Sequence, residues 1–206
     1  MNPNLKILKF IQKSEKLKTV KRSIEISDLS RLESPAEHSW RTALLAMALY
    51  DEGILKIDLT KTLKLIMLHD LPETITGDEW RTEKDEKHEK KIKDDELKAI
   101  KKIYYLLPGR SAKKLEKLAE DYAKQKSKEA KVAKALDKIE VIIQRLDIGP
   151  ENWRRLDLGS KNLEKKDGFP IAYHWADECV AKVPELQDFW ELVRSQLKKQ
   201  YNKLHD

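Results

Sequence analysis

Residues 63–79 read LKLIMLHDLPETITGDE: a mostly apolar run, then His69 and Asp70, then Glu73 and Asp78 shortly after. Leu59, Leu63, Ile66 and Met67 recur at helical spacing, so the run reads as the inward face of a helix capped by Asp58 or Thr60. Pro72 disfavours helix at Leu71, which places His69 and Asp70 at or just before the helix end. Four ionisable groups beside a buried segment are costly to desolvate unless something compensates them. A metal ion is one such compensation, and its other ligands can be sought elsewhere in the chain.

Working outward, almost every periodic segment has the helical period. Upstream, Ser34-Pro35-Ala36-Glu37 announces a helix with a Ser cap, Pro in the first turn and a Glu that closes a capping box. That helix carries Trp40, Ala43, Leu44, Met47 and Ala48 on one side and stops near Gly53. Leu5, Leu8 and Ile11 form an earlier amphipathic face, and residues 19–32 have no clean period and read as a loop. Downstream, a charged helix spans about 84–107, buried along Ile92, Ala99, Ile100 and Ile103, and Pro108-Gly109 breaks it. Ser111 and Ser127 are caps for two more helices, the second running to about Leu146. Residues 149–170 read as an irregular connection. A final stripe of Leu186, Phe189, Trp190, Val193, Leu197, Tyr201 and Leu204 buries into the same subunit or a partner. No alternating strand pattern of useful length appears. The expected architecture is all-α, a single domain over 1–206, with a motif-bearing core at about 17–146 and a C-terminal helical extension at 147–206.

The composition narrows the function classes. Charged residues make up 38% of the 206, but Lys and Glu are interleaved, so the net charge of +6 is spread over solvated helix faces. No basic block of the kind that binds nucleic acid is present, and no nucleic-acid partner is expected. The N-terminus lacks the apolar stretch of a signal peptide. The longest apolar run, residues 43–50, falls short of the roughly 20 residues that span a bilayer. Cys179 is the only cysteine, which excludes an intrachain disulfide and a thiolate metal site. A cytoplasmic protein without membrane contact is the expectation.

Imidazole and carboxylate together suit a divalent transition ion. His38 sits in the first turn of the Ser34-capped helix, where neither capping nor amphipathicity requires it. Asp137 lies mid-helix in AKALDKIEVIIQ, beside the apolar stripe of Val132, Leu136, Ile139 and Ile143. With His69 and Asp70 these would supply two nitrogens and two oxygens. Taken singly, each has an ordinary reading: a polar helix end for His69-Asp70, a satisfied helix-start histidine for His38, a buried ion pair to Lys138 or Arg145 for Asp137. Trp80 could stack on a base or pack locally, and His88, His174 and His205 have no partner pattern.

The stretches ESPAEHSWRTALLAMAL and LKLIMLHDLPETITGDE, a charged helix ending LLP, and the aspartate in LDKIE together resemble the HD-domain phosphohydrolases. The likeness runs from about residue 17 to 143, and is closest to the branch of bacterial 5′-deoxynucleotidase and HD-domain-containing protein 2. It implies a helical bundle with a metal site between helices, and one divalent ion (Mn, Co, Fe, Ni, Zn or Mg) held by His38, His69, Asp70 and Asp137. It also implies Glu73 as the catalytic carboxylate, Asp78 as a sugar contact and Arg22 as a phosphate contact. The implied activity is a 5′-nucleotidase releasing phosphate from nucleoside 5′-monophosphates, from a homodimer. The alternatives are another HD phosphohydrolase, acting on a triphosphate, cyclic nucleotide or sugar phosphate, and a non-catalytic nucleotide-binding protein. Relatives carry a tryptophan just after the arginine, whereas this chain reads Arg22-Ser23-Ile24-Glu25. The missing aromatic removes the expected basis of strict deoxyribose preference.

Overall fold

The computed structural model describes residues 2–78, 86–152 and 174–203, without the side chains of 86–94. Its helices are α1 (Pro3–Ser14), α2 (Pro35–Asp51), α3 (Leu59–Leu68), α4 (Glu73–Thr76), α5 (Glu86–Tyr104), α6 (Gly109–Lys124), α7 (Lys128–Ile148), α8 (His174–Val180) and α9 (Gln187–Asn202). Among the described residues, the extended backbone is limited to one isolated antiparallel bridge, Glu25 with Leu32, inside the segment expected to be a loop. No helix among them is long and apolar enough to cross a membrane. Trp80, Leu204, His205 and residues 153–170 of the expected irregular connection lie outside the described residues, as do the side chains of His88 and Ile92.

Helix α7 is the axis of the bundle. Small and branched residues alternate along it, and Ala130, Val132, Ala133, Ala135, Leu136, Ile139, Ile142 and Ile148 are all buried. Helices α2 and α3 pack on one flank of it, and α8 and α9 on another. The C-terminal stripe therefore turns into its own subunit: Leu186, Trp190, Val193 and Leu197 are buried in the same cluster as Leu65, Leu136 and Ile139. A smaller cluster of Leu17, Leu71, Ile103 and Tyr104 joins α5 to the end of α3.

The caps at Ser34, Asp58 and Ser127 form as expected. Ser34 and Glu37 close a reciprocal capping box, and Asp58 and Ser127 each accept a first-turn backbone N–H. The helix expected to start at Ser111 starts earlier, at Gly109, because Pro108 supplies a pre-set φ and no side-chain cap is needed.

Three apolar faces do not lie where amphipathicity alone puts them. On α2 the inward residues are His38, Ser39, Thr42, Ala46 and Leu49, while Trp40, Leu44 and Met47 are 59%, 44% and 41% exposed. Two groups of this polar side are satisfied there: the Thr42 hydroxyl donates to the His38 carbonyl at 2.8 Å, and the His38 ring bonds Glu140. On α3, Thr62 and Leu65 join Ile66 in the interior, and Met67 faces out. On α1, Leu5, Leu8 and Ile11 are all exposed, and only Phe10 packs against the smaller cluster.

Candidate metal centre

Helix α3 ends at Leu68, and His69 follows as its C-cap. There Nδ1 of His69 donates to the Ile66 carbonyl at 2.6 Å, one of the helix-end carbonyls that would otherwise lack a partner. That bond fixes the tautomer and leaves the Nε2 lone pair facing the interior. The same construction recurs at His38, which is fully buried: its Nδ1 donates to the Glu140 carboxylate of α7. A histidine whose outer N–H is held by a carboxylate or carbonyl is oriented and made more basic, as metal-binding histidines are.

Both Nε2 atoms point at one carboxylate oxygen. Oδ1 of Asp137 is 3.2 Å from His38 Nε2 and 4.0 Å from His69 Nε2, and all three atoms lie within 4.8 Å of one another. Asp70 joins through its own Oδ1, 3.0 Å from His69 Nε2. Three of the four residues expected from the sequence, His38, His69 and Asp137, thus converge from α2, the end of α3 and α7, and Asp70 lies beside them against His69. Without an ion, a proton on His38 Nε2 bridges to Asp137 Oδ1, and a divalent cation could take the place of that proton. Nε2 of His69 and Oδ2 of Asp70 are buried and have no hydrogen-bond partner. Two imidazole nitrogens and two carboxylates held together in this way fit a divalent ion.

The remaining oxygen of Asp137 is also held. Oδ2 accepts from Tyr122 at 3.0 Å, Lys134 at 3.1 Å and Lys138 at 3.2 Å. Of the two ion pairs open from the sequence, Lys138 is therefore present, and Arg145 is not among the partners of Asp137. Burial opposes ionisation of Asp137, yet the two lysines and His38 hold its carboxyl well below the usual range. Asp70, equally buried, is held at about 2 by His69, His38 and Arg22. Burial and Arg22 both lower His38, but Asp137 and Glu140 outweigh them and raise it to about 9.

Arg22 reaches this cluster from the loop before α2. Its Nε lies 3.1 Å from Glu33 Oε2, its Nη1 3.6 Å from Asp70 Oδ2, and its backbone N–H donates to the Glu33 carbonyl at 2.8 Å. Glu73 opens α4, with its N–H on the Asp70 carbonyl at 2.9 Å. Its carboxyl is pushed up to about 10 by burial and by the charges of Asp70 and Asp78. Gly77, at φ +78°, ends α4 in a conformation that side-chain-bearing residues avoid, and Asp78 follows it. Burial raises the Asp78 carboxyl, against a lowering by Arg22.

Sequence reasoning missed Glu33, Glu140, Tyr122 and Lys134. Glu140 could have been found, since it sits one turn from Asp137 on the same helix and so shares its face. Tyr122 and Glu33 carry no comparable signal, because only the packing of α6 and of the Arg22 loop brings them in.

The description "HD domain" matches residues 14–173 of the chain. The human protein named 5′-deoxynucleotidase HDDC2 is 35% identical over 139 residues, which is 67% of this chain and 66% of that protein, just under two thirds of its length. A Schizosaccharomyces pombe protein named 5′-deoxynucleotidase hdd1 is 28% identical over 93% of this chain and 96% of its own. Among solved structures, one from Magnetospirillum magnetotacticum titled a "Predicted metal-dependent phosphohydrolase" has the same fold, with TM-score 0.75 and 22% identity, over 97% of this chain and 96% of that one. The paired histidines and aspartates and the matched span of sequence lead to one assignment: this chain belongs to the HD-domain family.

Proposed function

We propose that the chain is a metal-dependent 5′-nucleotidase that releases phosphate from nucleoside 5′-monophosphates. The observation that carries this reading is the convergence of two oriented Nε2 atoms on the oxygens of Asp70 and Asp137. The names of the human and fission-yeast relatives support the substrate class. His38, His69, Asp70 and Asp137 would hold the ion. Once bound, a divalent ion there makes a water acidic enough to attack and draws charge from the phosphoryl oxygens. Arg22, a delocalised cation beside Asp70, stabilises the charge that develops on the phosphate. Glu73, at the start of α4 beside Asp70, would orient the attacking water or pass a proton to the leaving 5′ oxygen. Asp78, one residue beyond the Gly77 turn, is the sugar contact, accepting from a ribose hydroxyl.

Phosphate release from a panel of ribo- and deoxyribonucleoside monophosphates with added Mn²⁺, Co²⁺ or Mg²⁺ tests the reading. Release with at least one metal, lost in Glu73→Ala, is the expected result. No release with any metal, or full activity in Glu73→Ala, overturns it.

The exposed strip of Trp40, Leu44 and Met47 on α2, with Met67 on α3, supports a homodimer as the working form. Sedimentation of the wild type and of Trp40→Glu checks this; a dimer converted to monomer is expected. A single cysteine and no disulfide support a cytoplasmic setting.

A further inference from the structure

Asp137 Oδ2 has more donors than a carboxylate oxygen can serve well. A carboxylate offers about four lone-pair positions over two oxygens, and Oδ1 is turned toward the histidines. Tyr122, Lys134 and Lys138 all crowd onto Oδ2 within 3.2 Å. Two of the three form a unit of their own: Lys134 Nζ is 3.3 Å from the Tyr122 hydroxyl and lies over its ring, 4.9 Å from the centroid. Lys138 has no such second support. Its ammonium rests on Asp137 Oδ2 at 3.2 Å, and its side chain is 31% exposed, so it borders the donor cluster on a side open to solvent.

Arg22 and Lys138 are in matching situations. Each is a cation at the edge of the donor cluster, paired with one of the two aspartates that would bind the ion: Arg22 with Asp70, Lys138 with Asp137. A divalent ion takes up the two negative charges of those aspartates. The lysine would then be left with a weakened partner, while Arg22 would keep Glu33 and loosen from Asp70, so both cations could turn to an anion in the site. A phosphate monoester is a dianion near neutral pH, with three equivalent oxygens that accept charge-assisted hydrogen bonds. Lys138 can turn to it without rearranging the backbone, because an ammonium on a four-carbon stem swings freely.

We propose that Lys138 is a substrate-binding residue that grips the phosphoryl group together with Arg22, and that metal binding releases it from Asp137 for that task. The inference rests on the nucleotidase reading above and adds a residue to it. It also accounts for the two lysines on one carboxylate: Lys134 with Tyr122 keeps Asp137 in place, and Lys138 serves the ligand.

The test uses the full chain loaded with Mn²⁺ and inorganic phosphate as the probe, by calorimetry, in the wild type, Lys138→Met, Lys138→Arg and Lys134→Met. The expected result is phosphate binding weakened roughly ten- to a hundredfold in Lys138→Met, the size of one charge-assisted hydrogen bond. Mn²⁺ affinity should stay within about threefold, and Lys138→Arg should recover most of the phosphate affinity. Lys134→Met should keep its phosphate affinity within about threefold while weakening Mn²⁺ binding. Unchanged phosphate affinity in Lys138→Met overturns the proposal, and so does an equal loss of Mn²⁺ affinity in both methionine variants, which would make Lys138 a support for Asp137. A wild type that binds Mn²⁺ but no phosphate, and releases none from nucleotides, overturns the nucleotidase reading itself. Far-UV circular dichroism melts of each variant separate loss of folding from loss of binding.

Discussion

His38 on α2 donates its Nδ1–H to Glu140 on α7, a residue 102 positions away in the chain and buried to the same degree. This one bond sets which histidine nitrogen faces Asp137, so it governs the donor cluster without belonging to it. Arg41 and Gln144 extend the contact. Arg41 Nε lies 3.4 Å from Glu140 Oε1, and the Gln144 amide donates to the Glu25 carbonyl at 2.7 Å, tying α7 to the loop that carries Arg22.

Replacing Glu140 with glutamine keeps the shape of the side chain but weakens its preference for an N–H at His38 Nδ1. Metal affinity should fall about 10- to 100-fold, the usual cost of losing such an outer partner. Titration of Mn²⁺ into the metal-free variant, followed by calorimetry, measures it; an unchanged affinity would show that the bond does not control His38.

The metal-free protein should lose stability as pH rises from about 6.5 to 9. His38 has a folded pKa of about 9, above its ordinary value near 6.5, so its stabilising contribution is complete below 6.5 and lost as pH passes through 9. Glu73 acts in the same direction, since a carboxyl raised to about 10 binds a proton in the folded chain that the unfolded chain has already released. Denaturant midpoints at several pH values in chelator check the sign. With Mn²⁺ added the trend should reverse, because the ion binds better as His38 loses its proton.

Glu73→Gln should separate stability from activity. It removes a carboxyl that burial and two neighbouring aspartates oppose, so the metal-free protein at pH 8 should melt a few degrees higher; about 1 kcal/mol corresponds to roughly 2–4 °C at this size. The same variant should lose phosphate release, having no proton to transfer. Thermal melts and a phosphate assay on one preparation test both halves, and a lower melting temperature would contradict the electrostatic account.

Arg22→Ala leaves Glu33 and Asp70 buried without their shared cation. The expected cost is about 3 kcal/mol, as for other broken buried pairs. Adding Glu33→Gln should recover part of it, because Glu33 is the closer partner at 3.1 Å. Chemical denaturation of the single and double variants gives the coupling; additive losses would mean that the two residues do not interact.

Ser23 follows Arg22 directly, in the Arg22-Ser23-Ile24-Glu25 stretch where the resemblance implies a tryptophan. Without that ring the 2′ side of the sugar is not screened by an aromatic at this position, so ribo- and deoxyribonucleotides should differ in kcat/KM by less than about tenfold, the discrimination one missing contact supplies. Ser23→Trp should widen the ratio. Parallel assays on paired ribo and deoxy substrates decide it.

The helices themselves were legible along the chain. Ser34, Asp58 and Ser127 cap where a local rule places them, because a cap depends only on a side chain and the next three backbone N–H groups. The break after Leu68, set by Pro72, and the positions of His69 and Asp70 were equally local. The resemblance added His38 and Asp137 as partners, and the structure brings all four together.

What the sequence by itself determined, then, was an all-α chain, with candidate donors that the resemblance singled out. Which face of α2 turns inward was decided only by tertiary packing. Its apolar stripe of Trp40, Leu44 and Met47 pointed one way, and the demand to bury His38 against Glu140 and Asp137 turned the helix another. The same holds for Tyr122, Lys134 and Lys138 on Asp137, and for Glu33 on Arg22. Periodicity records the average polarity of a helix side, whereas the pairing of buried charges depends on which helices meet, and that is a property of the bundle as a whole.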